Sequence, residues 1–285
     1  MLSSNRVIHE SGATLKDLSN SLNNFFSKTE VLNYVAATDY LYVGSDVPFN
    51  HRYFDLVVVN DENVDVTVEI WDGNAWVAAV DVQDQTKSSI TGPSLAQSGI
   101  ISWVTNKNKS WVKERSTEDM TGSGLETLKI YNMYWVRFSW DADLKLTTEL
   151  QYVGHKFSAD EDLGGFYPDL NRSAAMSSFQ SGKTSWKEQH IIAAEEVFKA
   201  LRSRRELWTK GQIFYWEAFT VAACHKVAEI IYSAFGTEYE TRKVDAAARF
   251  EAELDSVLSI GVDKDEDGHI DEDEQAGVAV GLVRR

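Results

Sequence analysis

A single cysteine, Cys224, and only three prolines stand in a chain of 285 residues. One thiol cannot form an intramolecular disulfide, so a disulfide-stapled secreted scaffold is excluded and folding in a reducing compartment, the cytoplasm of the cell that makes it, is expected. Positive charge is also scarce: 28 Lys and Arg against 44 Asp and Glu leave a net charge of -16. Nucleic-acid backbones are gripped by lysine and arginine displacing counterions, so a surface built to hold phosphates is excluded. An acidic wall that repels a duplex and lets it slide past remains compatible with this charge. No apolar run is long enough to cross a bilayer, and the opening "MLSSNRVIHESGATLKDLSNSLNN" has no signal-peptide core, so a protein without membrane association is expected.

Motifs of catalysis are missing too. The chain has no G-x-S-x-G, no phosphate-binding glycine loop and no dinucleotide fingerprint. His9, His51, His155, His190, His225 and His269 are scattered and form no zinc-type spacing with Cys224. Cys224 and His225 are neighbours in an apolar helical run, where adjacent side chains point about 100° apart, so a buried structural cysteine is expected and not a Cys-His pair. "GSGLE" and "DLGG" read as flexible loops. A carboxylate pair of glycosidase type could be drawn from many acidic residues and is singled out by none. No catalytic and no organic-cofactor residue is assigned, and a non-enzymatic role is expected.

What the chain does have is a change of period partway along. Leu15, Leu18, Leu22, Phe25 and Phe26 carry helical spacing and predict a peripheral helix over Ala13 to Val35. From Tyr40 the runs "YLYVGS", "YFDLVVVN", "VDVTVEIWDG", "AWVAAVDV", "GIISWV", "LKIYNMYWVRFSW" and "KLTTELQYVGHKF" are rich in Val, Ile, Tyr and Trp and are divided by turn residues. They predict an antiparallel sandwich or barrel, with the clearest hairpin at Asp72-Gly73-Asn74. Residues rich in Ser, Gly and Asp follow from Ser158 and read as a linker.

Three helical runs come next. The first presents Ile191, Ile192, Ala194, Val197, Phe198 and Leu201, with Ser185 and Glu188 as a capping box. The second is apolar around most of its circumference and stops at Gly236, and the third presents Val244, Ala247, Phe250, Leu254 and Leu258. Together they predict a small bundle with the second helix innermost. The expected class is α+β, divided as a helical arm over 1–36, a β-rich domain over 37–157, a linker over 158–184, a helical domain over 185–261 and a C-terminal loop and tail over 262–285. Six of the nine tryptophans, Trp71, Trp76, Trp103, Trp111, Trp135 and Trp140, fall in the β-rich part. They could stack on sugars or bases, but alternation along strands favours core or interface positions.

The tail holds "DKDEDGHIDEDE", Asp263 to Glu274. Asp263, Asp265, Asp267, His269, Asp271 and Glu274 occupy the ligand positions of an EF-hand loop, with Gly268 at its sharp turn and Ile270 as apolar anchor. Calcium takes roughly six to eight oxygen ligands, which alternating aspartates supply as the backbone curls; position seven gives only its carbonyl, so His269 is acceptable there. The plainer alternative is a solvated acidic tail. Sensor EF-hands come in pairs, whereas here one loop is followed by the short, glycine-broken "QAGVAVGLVRR", so a structural calcium ion is expected and not a regulatory one.

The β-rich segments "YLYVGSDVPFNHRYFDLVVVN", "VEIWDGNAWVAAVDVQDQT", "SGIISWV" and "MYWVRFSW" resemble tailed-bacteriophage virion proteins. The segment "WKEQHIIAAEEVFKALRSRRELWTKGQIFYWEAFTVAACHKVAEIIYSAFG" resembles the helical core of phage head-to-tail connector, or adaptor, proteins. The resemblance implies a structural ring subunit of about twelve copies around the portal axis. It also implies contacts with portal and tail or neck proteins, DNA passing through without sequence-specific binding, and residence in the virion. The simplest adaptors are helical alone, so the β-rich part and the calcium loop depart from them. A baseplate, tail-fibre-attachment or neck component is the alternative within the same class. A calcium-stabilised carbohydrate-binding module is the alternative outside it, although the second loop of a dockerin is missing.

Overall fold

The computed structural model describes residues 5–23, 28–104, 111, 122–128, 133–204, 213 and 216–261. In chain order the first part carries β1 (Arg6–Ser11), β2 (Thr14–Asp17), a four-residue helix α1 (Ser19–Leu22), β3 (Glu30–Val31), β4 (Tyr40–Ser45), β5 (His51–Val58), β6 (Val66–Trp71), β7 (Trp76–Ala78), β8 (Val80–Asp84), β9 (Gly99–Val104), β10 (Tyr134–Trp140) and β11 (Glu149–Gly154). Every ladder is antiparallel, and the strands make two sheets, in the orders β2-β1-β4-β10-β6-β7 and β3-β11-β5-β9-β8. Alternation sends Val43, Val68 and Phe138 from one sheet and Phe54, Ile101 and Leu150 from the other into one buried cluster. Phe54 and Phe138 meet edge to face there at 5.3 Å. The fold is therefore α+β, with a β-sandwich first and helices after it, as expected.

Each of the seven runs yields strand. "AWVAAVDV" yields two, because β7 and β8 lie in different sheets with only Ala79 between them. That corner closes one side of the sandwich covalently, with Asp81 at positive φ beside the irregular β8 register. On the other side β2 and β3, edge strands of different sheets, are joined by Lys16 Nζ to Glu30 Oε2 at 2.6 Å. The Asp72 turn forms as expected: Trp71 pairs with Trp76, and the Asp72 carboxylate accepts the N–H groups of Asn74 and Ala75.

The helix expected over Ala13 to Val35 is not what forms. Gly12, at φ +61°, turns β1 back on β2 with Ser11 opposite Thr14, and its N–H is taken by the Asp39 carboxylate at 2.9 Å. Leu18 and Leu22 are buried as the periodicity required, but on the single turn α1 and its approach; Phe25 and Phe26 lie outside the described residues. The competing partner is remote in sequence: β4 pairs with β1 from Arg6 to Glu10, which a local spacing rule cannot register. These N-terminal elements belong to the sandwich rather than to a separate arm.

From His155 the described chain forms a second compact unit. It holds α2 (Asp160–Phe166), α3 (Ser173–Phe179), α4 (Lys187–Ser203), α5 (Thr220–Phe235) and α6 (Glu240–Gly261). The expected bundle is present, with α5 packed by both α4 and α6 and ended by Gly236 at φ +92°. Where a linker was expected over 158–184, α2 and α3 instead pack on α5: Leu163, Leu170, Met176 and Trp186 join Val227, Ala228 and Ile231 in one buried cluster. The expected capping box is also replaced. Ser185 Oγ accepts from Lys187 N–H at 3.1 Å, while Glu188 pairs with Lys183. On α6 Phe250 and Leu254 are buried as expected and are joined by Ala246 and Val257, whereas Ala247 is half-buried and Val244 exposed.

Candidate functional site

The calcium-loop residues Asp263, Asp265, Asp267, His269, Asp271 and Glu274 lie outside the described residues. What the helical unit does display is a buried polar chain that no sequence motif announced. Ser158 Oγ lies 2.6 Å from His190 Nδ1, and His190 Nε2 lies 3.2 Å from Asp160 Oδ1. Asp160 also accepts the Trp186 backbone N–H at 3.0 Å. Each member comes from a different place: Ser158 from the segment entering α2, Asp160 from the first position of α2, and His190 from the first turn of α4.

The chemistry fixes the proton positions. A carboxylate can only accept, so Nε2 carries the imidazole hydrogen, Nδ1 is the free lone pair, and the Ser158 hydroxyl donates to it. Burial pushes the His190 pKa below its ordinary value, against the opposing pull of Asp160. Burial pushes Asp160 up, but hydrogen bonds from His190, Ser185 and Trp186 outweigh it and hold the carboxyl below the ordinary range. The state at neutral pH is a neutral imidazole between a hydroxyl and a carboxylate.

Serine, histidine and carboxylate in series is the order of a nucleophile, its base and the base's orienter. Here His190 is 0% and Ser158 5% exposed, so the hydroxyl is sealed from any acyl group in solution. The carboxylate also sits on Nε2 and the serine on Nδ1, the reverse of the hydrolase arrangement. In this closed form the chain ties the start of α2 to α4. Cys224 on α5 is buried beside Ser158, and burial lifts its thiol to about 12, which makes it an inert structural cysteine as expected. Its neighbour His225 faces away from it: Nδ1 shares a hydrogen bond with Tyr167 Oη at 2.9 Å.

Two other places invite a ligand reading. Trp71, Trp103, Trp135 and Trp140 are buried, and Trp76 and Trp111 are half-buried against the sandwich with their indole N–H groups donating to Ser123 and Trp135 carbonyls. They fill cores rather than form a stacking platform. A cleft of about 520 Å³ in the sandwich unit is lined by Asp65, Val66, Val82, Asp84, Lys87 and Ile90. Its polar groups already serve the protein: Asp84 accepts from Thr86 and Ser94, and Lys87 pairs with Asp65. Among the described residues no cluster of His, Cys, Asp and Glu has metal-binding geometry, and no helix is long and apolar enough to cross a membrane.

In comparisons with protein-family models, curated proteins and solved structures, nothing matches the chain.

Proposed function

We propose that the chain is a structural protein of a tailed-phage virion, a head-to-tail connector ring subunit that joins the portal to the tail and lines part of the DNA passage. The observation that carries this reading is the agreement between resemblance and architecture. The two stretches that resemble virion and connector proteins fall in two separate compact units, a β-sandwich ending at Gly154 and a helical unit beginning at His155. The net charge of -16 supports a lumen that repels DNA instead of holding it. In this reading Asp263, Asp265, Asp267, the His269 carbonyl, Asp271 and Glu274 hold a structural calcium ion that neutralises an otherwise self-repelling acidic segment.

The reading within the same class, a baseplate, tail-fibre-attachment or neck component, is separated by symmetry. The test is reconstruction of purified particles, or of the chain co-assembled with the portal. A ring of about twelve copies against the portal supports the connector, and three- or sixfold placement moves the protein down the tail. Absence of the chain from purified particles overturns both. The burial of Trp71, Trp103, Trp135 and Trp140 in the sandwich unit weighs against a carbohydrate-binding module, for which exposed indole faces supply the stacking surface.

A further inference from the structure

The stretch that reads as a linker is fastened to the bundle by two histidines on two different helices. His190 on α4 takes the Ser158 hydroxyl and gives its N–H to Asp160; His225 on α5 is bonded to the Tyr167 hydroxyl. Ser158, Asp160 and Tyr167 all lie within or beside α2, and both imidazoles are buried. We propose that residues 155–186 form an acid-releasable strap, held on α4 and α5 through neutral His190 and His225, whose opening bares the apolar side of α5.

The physical case rests on what the strap covers and on what holds it. Leu163, Leu170 and Met176 lie over Val227, Ala228 and Ile231. The strap's helices, α2 and α3, have seven residues each, too short to persist once lifted from that surface. Its other polar ties are the Thr220 hydroxyl donating to the Phe157 carbonyl at one end, Lys183 pairing with Glu188 at the other, and Asp169 receiving Tyr232 and Arg242 between them; Phe157 and Phe179 add ring contacts to Phe198, Phe219 and Phe235. The charges facing each histidine are mixed. Asp160 and Asp162 favour a cationic His190 and Lys156 opposes it; Asp245 favours a cationic His225 and Arg249 opposes it. Burial dominates at both, so both imidazoles stay neutral while the strap is closed. Opening hydrates them and returns them toward the ordinary value of 6.5, so the open form binds more protons and acid favours it.

Linkage sets the size of the effect: below pH 6.5 the opening constant rises by up to about tenfold per pH unit for each histidine that protonates on opening. Amide hydrogen exchange of the full chain between about pH 8 and about pH 5, corrected for intrinsic exchange, is the test. The expected result is loss of protection in peptides covering residues 158–180 while α5 and the sandwich strands keep theirs. A third imidazole, His155, is buried at the start of the strap edge-on to Phe198 of α4, so the variants are made in a His155→Gln background; adding His190→Gln with His225→Gln there is expected to make that protection independent of pH, whatever its level. An acid response that is absent, that is uniform over the helical unit, or that survives in the double variant overturns the proposal. Should the double variant not fold, the imidazole resonances of the native chain decide. Titration of His190 and His225 in step with strap exchange upholds the proposal, and titration under an unchanged strap overturns it.

Discussion

At the scale of single residues, stability rests on a few tight contacts that no local pattern specifies. Gly44 on β4 lies directly opposite Trp135 on β10, and a Cβ there would stand 2.8 Å from the indole ring. Gly44→Ala is expected to force the buried indole from its seat and to lower stability by about 1–3 kcal/mol, read as a fall in the denaturant midpoint. Ser158→Ala leaves His190 Nδ1 without its donor in a buried site, with an expected loss of about 1–3 kcal/mol in the same measurement. The residues of that polar chain were individually visible in the sequence, yet their association was not. Ser158 and His190 are 32 positions apart and meet only because the segment entering α2 is brought against α4, so the spacing rules that find metal loops and nucleophile elbows have nothing to detect.

At the scale of elements, the period of the sequence was a good guide where one partner decided the structure and a poor one where two competed. The seven strand runs and the apolar α5 were legible because each has a strong pattern of its own. The stretch over 158–184 was not, because its Ser, Gly and Asp residues carry no periodicity and its few anchors, Leu163, Leu170, Met176 and Trp186, acquire meaning only against α5. Trp186→Ala is therefore expected to cost about 3–5 kcal/mol in the helical unit, well above the effect of a linker substitution, as read by denaturation. The N-terminal hairpin has its own non-local anchor in Asp39, which accepts Gly12 N–H, Val35 N–H and the Thr38 hydroxyl. Burial raises the Asp39 pKa, but these hydrogen bonds outweigh it and leave the value below the ordinary 3.8. A carboxyl with a lowered folded pKa contributes stability above its unfolded value and loses it as pH falls through the folded one. Asp39→Asn is thus expected to lower stability at neutral pH and to narrow the difference between neutral and strongly acidic solution, as measured by midpoints across pH.

At the scale of the whole molecule, charge and the C-terminal loop give expectations that do not depend on any single contact. With a net charge of -16 the protein is expected to leave duplex DNA unshifted in gels even at low ionic strength, where any electrostatic attraction is strongest. If the proposed calcium site forms, Asp263→Ala with Asp267→Ala is expected to abolish calcium uptake in titration calorimetry while leaving the far-ultraviolet dichroism of the two units unchanged, since those carboxylates would supply the ion's charge compensation; no uptake by the native chain overturns the site. By itself the sequence determined the class of the fold, the strands and the main helices, the core positions of most tryptophans in the β-rich part and the net negative charge. These follow from hydrophobic period and composition, which act over a few neighbouring residues or sum over all of them. Only the tertiary structure decided that the N-terminus joins the sandwich, that the apparent linker is a packed strap, and that Ser158, His190 and Asp160 meet. Each of those outcomes depends on a partner distant in the chain, and a contact of that kind is formed by folding without being written in any local run of residues.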